Sequence, residues 1–197
     1  MSRDSNIKLS VVIPAFTEAL RLPHTLDESI RYLKSQAYGS EIIVVDDGST
    51  DETGRIVQDR IPSAAVPLRL LAHPDKANHG KGAAVRRGML ETRGDYRLFM
   101  DADNSTTLEQ VERFWPCFDK GYQVAIGSRA LADSVIGIRQ ARYKELAGKF
   151  GNWIVRTFAV PEIRDTQAGF KMFTGGAADL IFPRQTIDRW GYDIEVL

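Results

Sequence analysis

The chain has 197 residues, of which 43% are hydrophobic and 9% aromatic, and its 26 basic and 26 acidic side chains give a formal net charge of zero. These values describe one soluble globular domain able to bury roughly 70% of its unfolded surface, and they exclude a disordered chain. They also lack the global basic excess of a protein that lives on nucleic acid, so no nucleic-acid partner is expected and a small charged ligand fits better.

The first element expected is a buried strand at Leu9–Ile13, short and rich in β-branched residues. Leu22, Leu26, Ile30 and Leu33 then recur at helical spacing within residues 20–36, and a second strand follows at Glu41–Val45. This is a β-α-β unit. Ser49-Thr-Asp-Glu52 reads as a capping box, opening a helix through Ile56 and Val57. A strand at Leu68–Leu71, a helix at Gly82–Glu91, a strand at Tyr96–Met100, a helix at Thr107–Phe118 and a strand at Gln123–Gly127 continue the alternation. That order predicts an α/β fold with a mainly parallel central sheet and ligands at the carboxyl ends of its strands.

Beyond residue 128 the alternation stops. Residues 141–158 read as an amphipathic helix with Tyr143, Leu146, Phe150, Trp153, Ile154 and Phe158 along one side. Between Arg129 and Arg156 six basic residues stand against two acidic ones, a local excess of four positive charges. The single Cys117 excludes an internal disulfide framework and any multi-cysteine metal site, which suits a reducing compartment. No stretch reaches the roughly 18 apolar residues of a spanning helix, and the polar start MSRDSNIKLS lacks a signal core. The expected location is cytoplasmic.

Two strand ends and one helix start carry the candidate chemistry. Asp101 and Asp103, two residues apart after a strand, are hard oxygen donors suited to Mg²⁺ or Mn²⁺ that shares oxygens with a substrate phosphate; a solvated turn has the same spacing. Asp46 and Asp47 close another strand, where a carboxylate can accept hydrogen bonds from a base or ribose, although turn chemistry alone also favours Asp-Gly-Ser. Asn78-His-Gly-Lys-Gly82 feeds a helix N-terminus that could receive a diphosphate with help from Lys81. Val85 stands where G-x-G-x-x-G needs its last glycine, and Lys81 has no Walker A context, which disfavours a dehydrogenase or P-loop ATPase. His73 and His79 near this loop read as surface or capping residues.

In combination, Val11–Glu18, Val44–Asp51, Gly80–Gly82, Asp101–Asp103, Gly127–Arg129 and Asp165–Lys171 follow the order and spacing of the family 2 inverting glycosyltransferases. Through Asp165–Lys171 and Arg189-Trp-Gly-Tyr-Asp-Ile-Glu195 the chain resembles in particular the dolichyl-phosphate glucosyltransferase branch and its bacterial polyprenyl-phosphate relatives. The resemblance implies a single GT-A domain over residues 1–197. Residues 8–128 would form the nucleotide-sugar half and 129–197 an acceptor-side half, C-terminally truncated relative to the family. It assigns the nucleoside to Pro14, Ala15, Glu18, Asp46 and Asp47, and places Lys81 near the donor. Asp101, Asp103 and Ser105 would hold the metal, with Asp101 also beside the donor. Arg129 and Arg139 would bind an acceptor phosphate, Arg129 lying between donor and acceptor, and Asp165 and Gln167 would face the sugar. The Asn-Glu-Glu of the family reads Thr17-Glu18-Ala19 here, and its Cys-Gly-Phe-Lys reads Ala168-Gly-Phe-Lys171.

The implied function is metal-dependent, inverting transfer of a sugar, glucose from UDP-glucose by the branch resemblance, to a polyprenyl or dolichyl phosphate. A dianionic phosphate attacks unaided, whereas a hydroxyl acceptor needs a base, for which Asp165 and Asp193 are the candidates. The basic run favours phosphate, although a solvated helix face carries the same charges; peripheral contact with the cytoplasmic face of a membrane is a further hypothesis, against which the aromatics of residues 141–158 read as core. Hydroxyl-acceptor transfer, a sugar-nucleotide pyrophosphorylase and a non-catalytic nucleotide-sugar-binding module remain as alternatives.

Overall fold

Buried β-branched runs set the core. The computed structural model describes residues 7–127 and 168–197. It contains β1 (Ile7–Ala15), α1 (Leu22–Lys34), β2 (Gly39–Asp46), α2 (Thr53–Arg60), β3 (Leu68–Ala72), α3 (Lys81–Glu91), β4 (Tyr96–Met100), α4 (Trp115–Asp119), β5 (Val124–Ile126), β6 (Phe170–Thr174), α5 (Gly175–Ile181) and α6 (Tyr192–Glu195). The expected amphipathic helix at 141–158 lies outside the described residues.

The six strands form one sheet in the order β3-β2-β1-β4-β6-β5. β1 to β4 are mutually parallel where they pair, and β6 runs antiparallel to both β4 and β5. The sequence alternation anticipates β5 but not β6. Phe-Lys-Met-Phe is too short to show a period, and its pairing partners lie far away in the chain. Residues Thr107–Phe118, expected as one helix, divide into a 3-10 segment over Leu108–Arg113 and the short α4. Pro116 accounts for the break, because its ring removes a backbone donor and is tolerated only in a first turn.

Alternate strand residues face two separate cores, as a period of two requires. Leu9, Val11, Ile13, Leu98 and Met100 pack with Leu22, Leu26 and Leu33 of α1, Val57 of α2, and Val111 and Phe114. Val12, Ile43, Val45 and Phe99 pack with Ala84, Val85 and Met89 of α3 and with Phe182 and Tyr192. α3 lies close to the sheet, since a Cβ at Gly88 would stand 2.4 Å from Val12 Cγ1. The chain leaves β1 in one direction through β2 and β3, then returns past β1 to β4. Strand order therefore reverses between β1 and β4, where an α/β sheet opens its binding crevice.

Candidate functional site

At the crevice, the loop after β1 is fastened to the loop after β2. The Thr17 amide donates to Ser49 Oγ at 3.0 Å, the Glu18 amide to Thr53 Oγ1 at 2.8 Å and the Ala19 amide to Asp51 Oδ2 at 3.1 Å. Thr17 adopts the left-handed region, with φ of 57°. The expected capping box is therefore corrected. Ser49 bonds across to Thr17, α2 starts at Thr53 without a side-chain cap, and Asp51 accepts from the Thr53 amide and hydroxyl. Long-range loop bonds have replaced the local cap. Pro14 and Ala15 are buried at the end of β1, and Glu18 grips Arg21 through two hydrogen bonds of 2.7 Å.

The adjacent aspartates take different roles. Asp47 is 2% exposed and binds the 78–80 loop: its Oδ1 accepts from the His79 amide, and its Oδ2 from the Gly80 amide and Asn78 Nδ2, each at 2.9 Å. Both oxygens of Asp47 thus hold the 78–80 loop in place. Asp46 is half-buried and accepts the Ser49 amide at 2.9 Å through Oδ1. Gly48, with φ of +78°, lets the two loops meet, because a Cβ there would lie 2.7 Å from the Ala77 carbonyl carbon.

The start of α3 is less open than its sequence implies. The Ala83 amide donates to the Asp188 carbonyl at 3.0 Å, and Gln185 Nε2 donates to the Gly82 carbonyl at 2.9 Å. A Cβ at Gly82 would stand 2.6 Å from the Ile187 carbonyl oxygen. The 185–190 segment therefore packs against this helix N-terminus and takes up its Ala83 amide. Lys81 remains the usable group. Its Nζ lies 2.5 Å from Asp101 Oδ1, and both side chains are 29% exposed.

Asp101 and Asp103 follow β4 as expected. The Asp101 amide donates to the Gly169 carbonyl at 3.1 Å, and its carboxylate fills the space of a missing side chain, for a Cβ at Gly169 would be 1.9 Å from Oδ2. Asp103 is exposed and its Oδ1 accepts the amide of Ser105, also exposed, at 3.0 Å. Among the described residues no group of three or more His, Cys, Asp or Glu could hold a metal. Asp101 and Asp103 are nevertheless hard oxygen donors of the kind that Mg²⁺ or Mn²⁺ takes, the ion completing its shell with water and phosphate oxygens.

Asp193, a candidate base, is engaged by a lysine. It is 6% exposed and paired with the fully buried Lys171, which also donates to the Ala168 carbonyl at 2.8 Å. Burial raises the Asp193 carboxyl, and the Lys171 charge opposes that rise. The pair ties α6 to β6. Sequence reasoning gave Lys171 no role, although a lysine inside an apolar strand signals a buried partner. It also missed Asn78 and Gly169, whose roles depend on contacts across the fold. Arg129, Arg139, Asp165 and Gln167 lie outside the described residues.

The model of the family described as "Glycosyl transferase family 2" matches residues 10–177. The chain belongs to that family. Its relatives include a dolichyl-phosphate beta-glucosyltransferase of Dictyostelium discoideum, 38% identical over 98% of this chain and 62% of the relative. Another from Homo sapiens is 34% identical over 96% and 62%. The chain thus spans about three-fifths of the length of the curated relatives it matches. Among solved structures, glucosyl-3-phosphoglycerate synthase from Mycobacterium tuberculosis in complex with Mn²⁺, UDP and glucosyl-3-phosphoglycerate superposes with a TM-score of 0.65. It is 23% identical over 98% of this chain and 64% of that one. S. aureus TarS 1-349 in complex with UDP-GlcNAc gives 0.61 at 18% identity, covering 96% and 53%. These likenesses establish that this family 2 chain has the GT-A fold.

Proposed function

We propose that the chain carries the catalytic centre of an inverting glycosyltransferase that moves glucose from UDP-glucose to a dolichyl or polyprenyl phosphate. The observation that carries this reading is the meeting of Lys81 with Asp101 at the strand-order reversal, with Asp46 closing β2 and Asp103 following two residues after Asp101. The names of the full-length relatives support the sugar and the acceptor.

In this reading Asp46 accepts hydrogen bonds from the nucleoside, and the β1–α1 loop, braced by Glu18 and Arg21, forms the wall beside it. Asp101 and Asp103 hold Mg²⁺ or Mn²⁺ with help from Ser105. When bound, the ion stabilises negative charge on the departing diphosphate. Lys81 presents a second positive charge to the phosphates. Arg129 and Arg139 pair with the acceptor phosphate, for which guanidinium geometry is suited, while Asp165 and Gln167 face the sugar. A phosphate monoester with a second pKa near ~6 is already largely dianionic at neutral pH and needs no base. The burial of Asp193 against Lys171 favours such an acceptor over a hydroxyl. We place the protein at the cytoplasmic face of a membrane, where a lipid phosphate is presented.

Radiolabelled UDP-glucose, a short polyprenyl phosphate and Mn²⁺ or Mg²⁺ test the reading. The expected product is an organic-extractable glucosyl lipid with inverted anomeric configuration, together with UDP, and Asp103→Asn lowers its rate about a hundredfold or more. Pyrophosphate release, or nucleotide binding without turnover, rejects the transfer reading.

A further inference from the structure

Resting on that reading, we infer that Lys81 is a built-in competitor of the divalent cation for Asp101, leaving the carboxylate when the ion binds and passing to the donor's phosphate oxygens. The pairing itself is the first observation: the ammonium sits 2.5 Å from Oδ1 of one of the two carboxylates offered to the ion. An oxygen in that contact serves a metal at full strength only after the lysine has moved away.

The surroundings determine what can move. Around Lys81 the backbone is held by the Gly80 amide on Asp47, the Ala83 amide on the Asp188 carbonyl and the Gln185 side chain on the Gly82 carbonyl. Asp101 is held by its own amide on Gly169 and by its carboxylate packed against the bare Cα of that residue. The four-carbon stem of Lys81 is the flexible part of the pair.

Charge balance gives the direction of the coupling. Lys81, Lys171, Asp101 and Asp193 form a cluster of two positive and two negative groups, and the Asp193 carboxyl feels both Lys81 and Asp101. A divalent ion arriving alone meets an ammonium already on one of its two carboxylates. A nucleoside diphosphate arriving with the ion gives that ammonium a new partner, so each ligand strengthens the other. Lys81 makes the unloaded site poor at collecting metal and the nucleotide a condition for tight binding.

Mn²⁺ binding measured by electron paramagnetic resonance and calorimetry, with and without UDP, tests this on the protein, its Lys81→Met and Lys81→Gln variants, and Lys81→Arg. Both neutral variants should bind Mn²⁺ alone about tenfold more tightly than the parent, and the gain conferred by UDP should shrink by a similar factor. Lys81→Arg, which keeps the charge, should retain the weak binding and the large UDP effect. Neutral variants that bind Mn²⁺ alone no better than the parent overturn the inference, while UDP-strengthened binding that disappears in Asp103→Asn leaves the proposed function standing. Failure of the parent and of every variant to bind Mn²⁺, even with UDP, overturns both.

Discussion

His73 and His79 stack with ring centroids 4.4 Å apart, yet their surroundings pull them in opposite directions. Burial, with the neighbouring His79 charge, lowers His73, whose Nε2 stands 3.3 Å from Asp47 Oδ1 without hydrogen-bond alignment. The hydrogen bond to Asp75 raises His79. As pH falls below the ordinary imidazole value of 6.5, the unfolded chain protonates His73 before the folded one does, so that residue's contribution to stability declines toward acid. The His79 contribution is complete below 6.5 and is lost as pH rises through its elevated folded value. For the assigned resonances of His73 and His79, proton NMR should give midpoints on either side of 6.5, with His79 the higher; a midpoint shared by these two would contradict the arrangement. Gly169 allows a second test. In Gly169→Ala the new methyl meets the Asp101 carboxylate, which must swing aside. Transfer should fall about a hundredfold or more while stability drops by only about 1 kcal/mol, compared by kinetics and thermal melting. A parallel loss of both would show that Gly169 serves folding rather than the placement of Asp101.

Polar contacts at the ends of elements supplement the two apolar cores that join helices to sheet. α6, only four residues long, cannot stand by itself, and it is held by Tyr192 in the core beside Phe99 and by Asp193 on Lys171 of β6. Removing one partner of a buried pair leaves the other charge uncompensated, at a cost of about 3–5 kcal/mol. Lys171→Met should therefore destabilise strongly, and the double change with Asp193→Leu should recover much of that loss. The sign with pH follows from the carboxyl: burial raises Asp193, and loss of Lys171 removes the opposing charge. The single variant's deficit should accordingly shrink toward acid pH, where Asp193 becomes neutral. Denaturant melts at several pH values measure it, and a deficit that is constant with pH would place the cost elsewhere.

For the whole molecule, zero net charge conceals a segregated distribution, since residues 129–156 alone carry an excess of four positive charges. Among the described residues no helix is long and apolar enough to cross a membrane. Exposed Phe16 and Leu20 lie in the loop after β1, and Trp190, 81% exposed, lies on the segment covering α3. Exposed apolar side chains together with the basic excess of the sequence should give salt-sensitive flotation with anionic vesicles and little with neutral ones. Equal partition into both, or into neither, would remove the membrane from the proposed function.

The sequence by itself determined the strands β1 to β5, the helices α1 to α3, the placement of Asp46 and Asp101 at strand ends and that of Lys81 at a helix start, because hydrophobic period, strand-end acids and helix-start signals are local. Its family motifs likewise sufficed to identify the GT-A fold. Only the tertiary structure decided that β6 enters antiparallel between β4 and β5, that Asp47 braces a loop while Asp46 remains beside the crevice, and that Asp193 is locked to Lys171. The physical reason is the same in each case. A strand's neighbour, a carboxylate's donors and a buried charge's counter-ion are supplied by residues distant in the chain, so one-dimensional spacing carries no record of them.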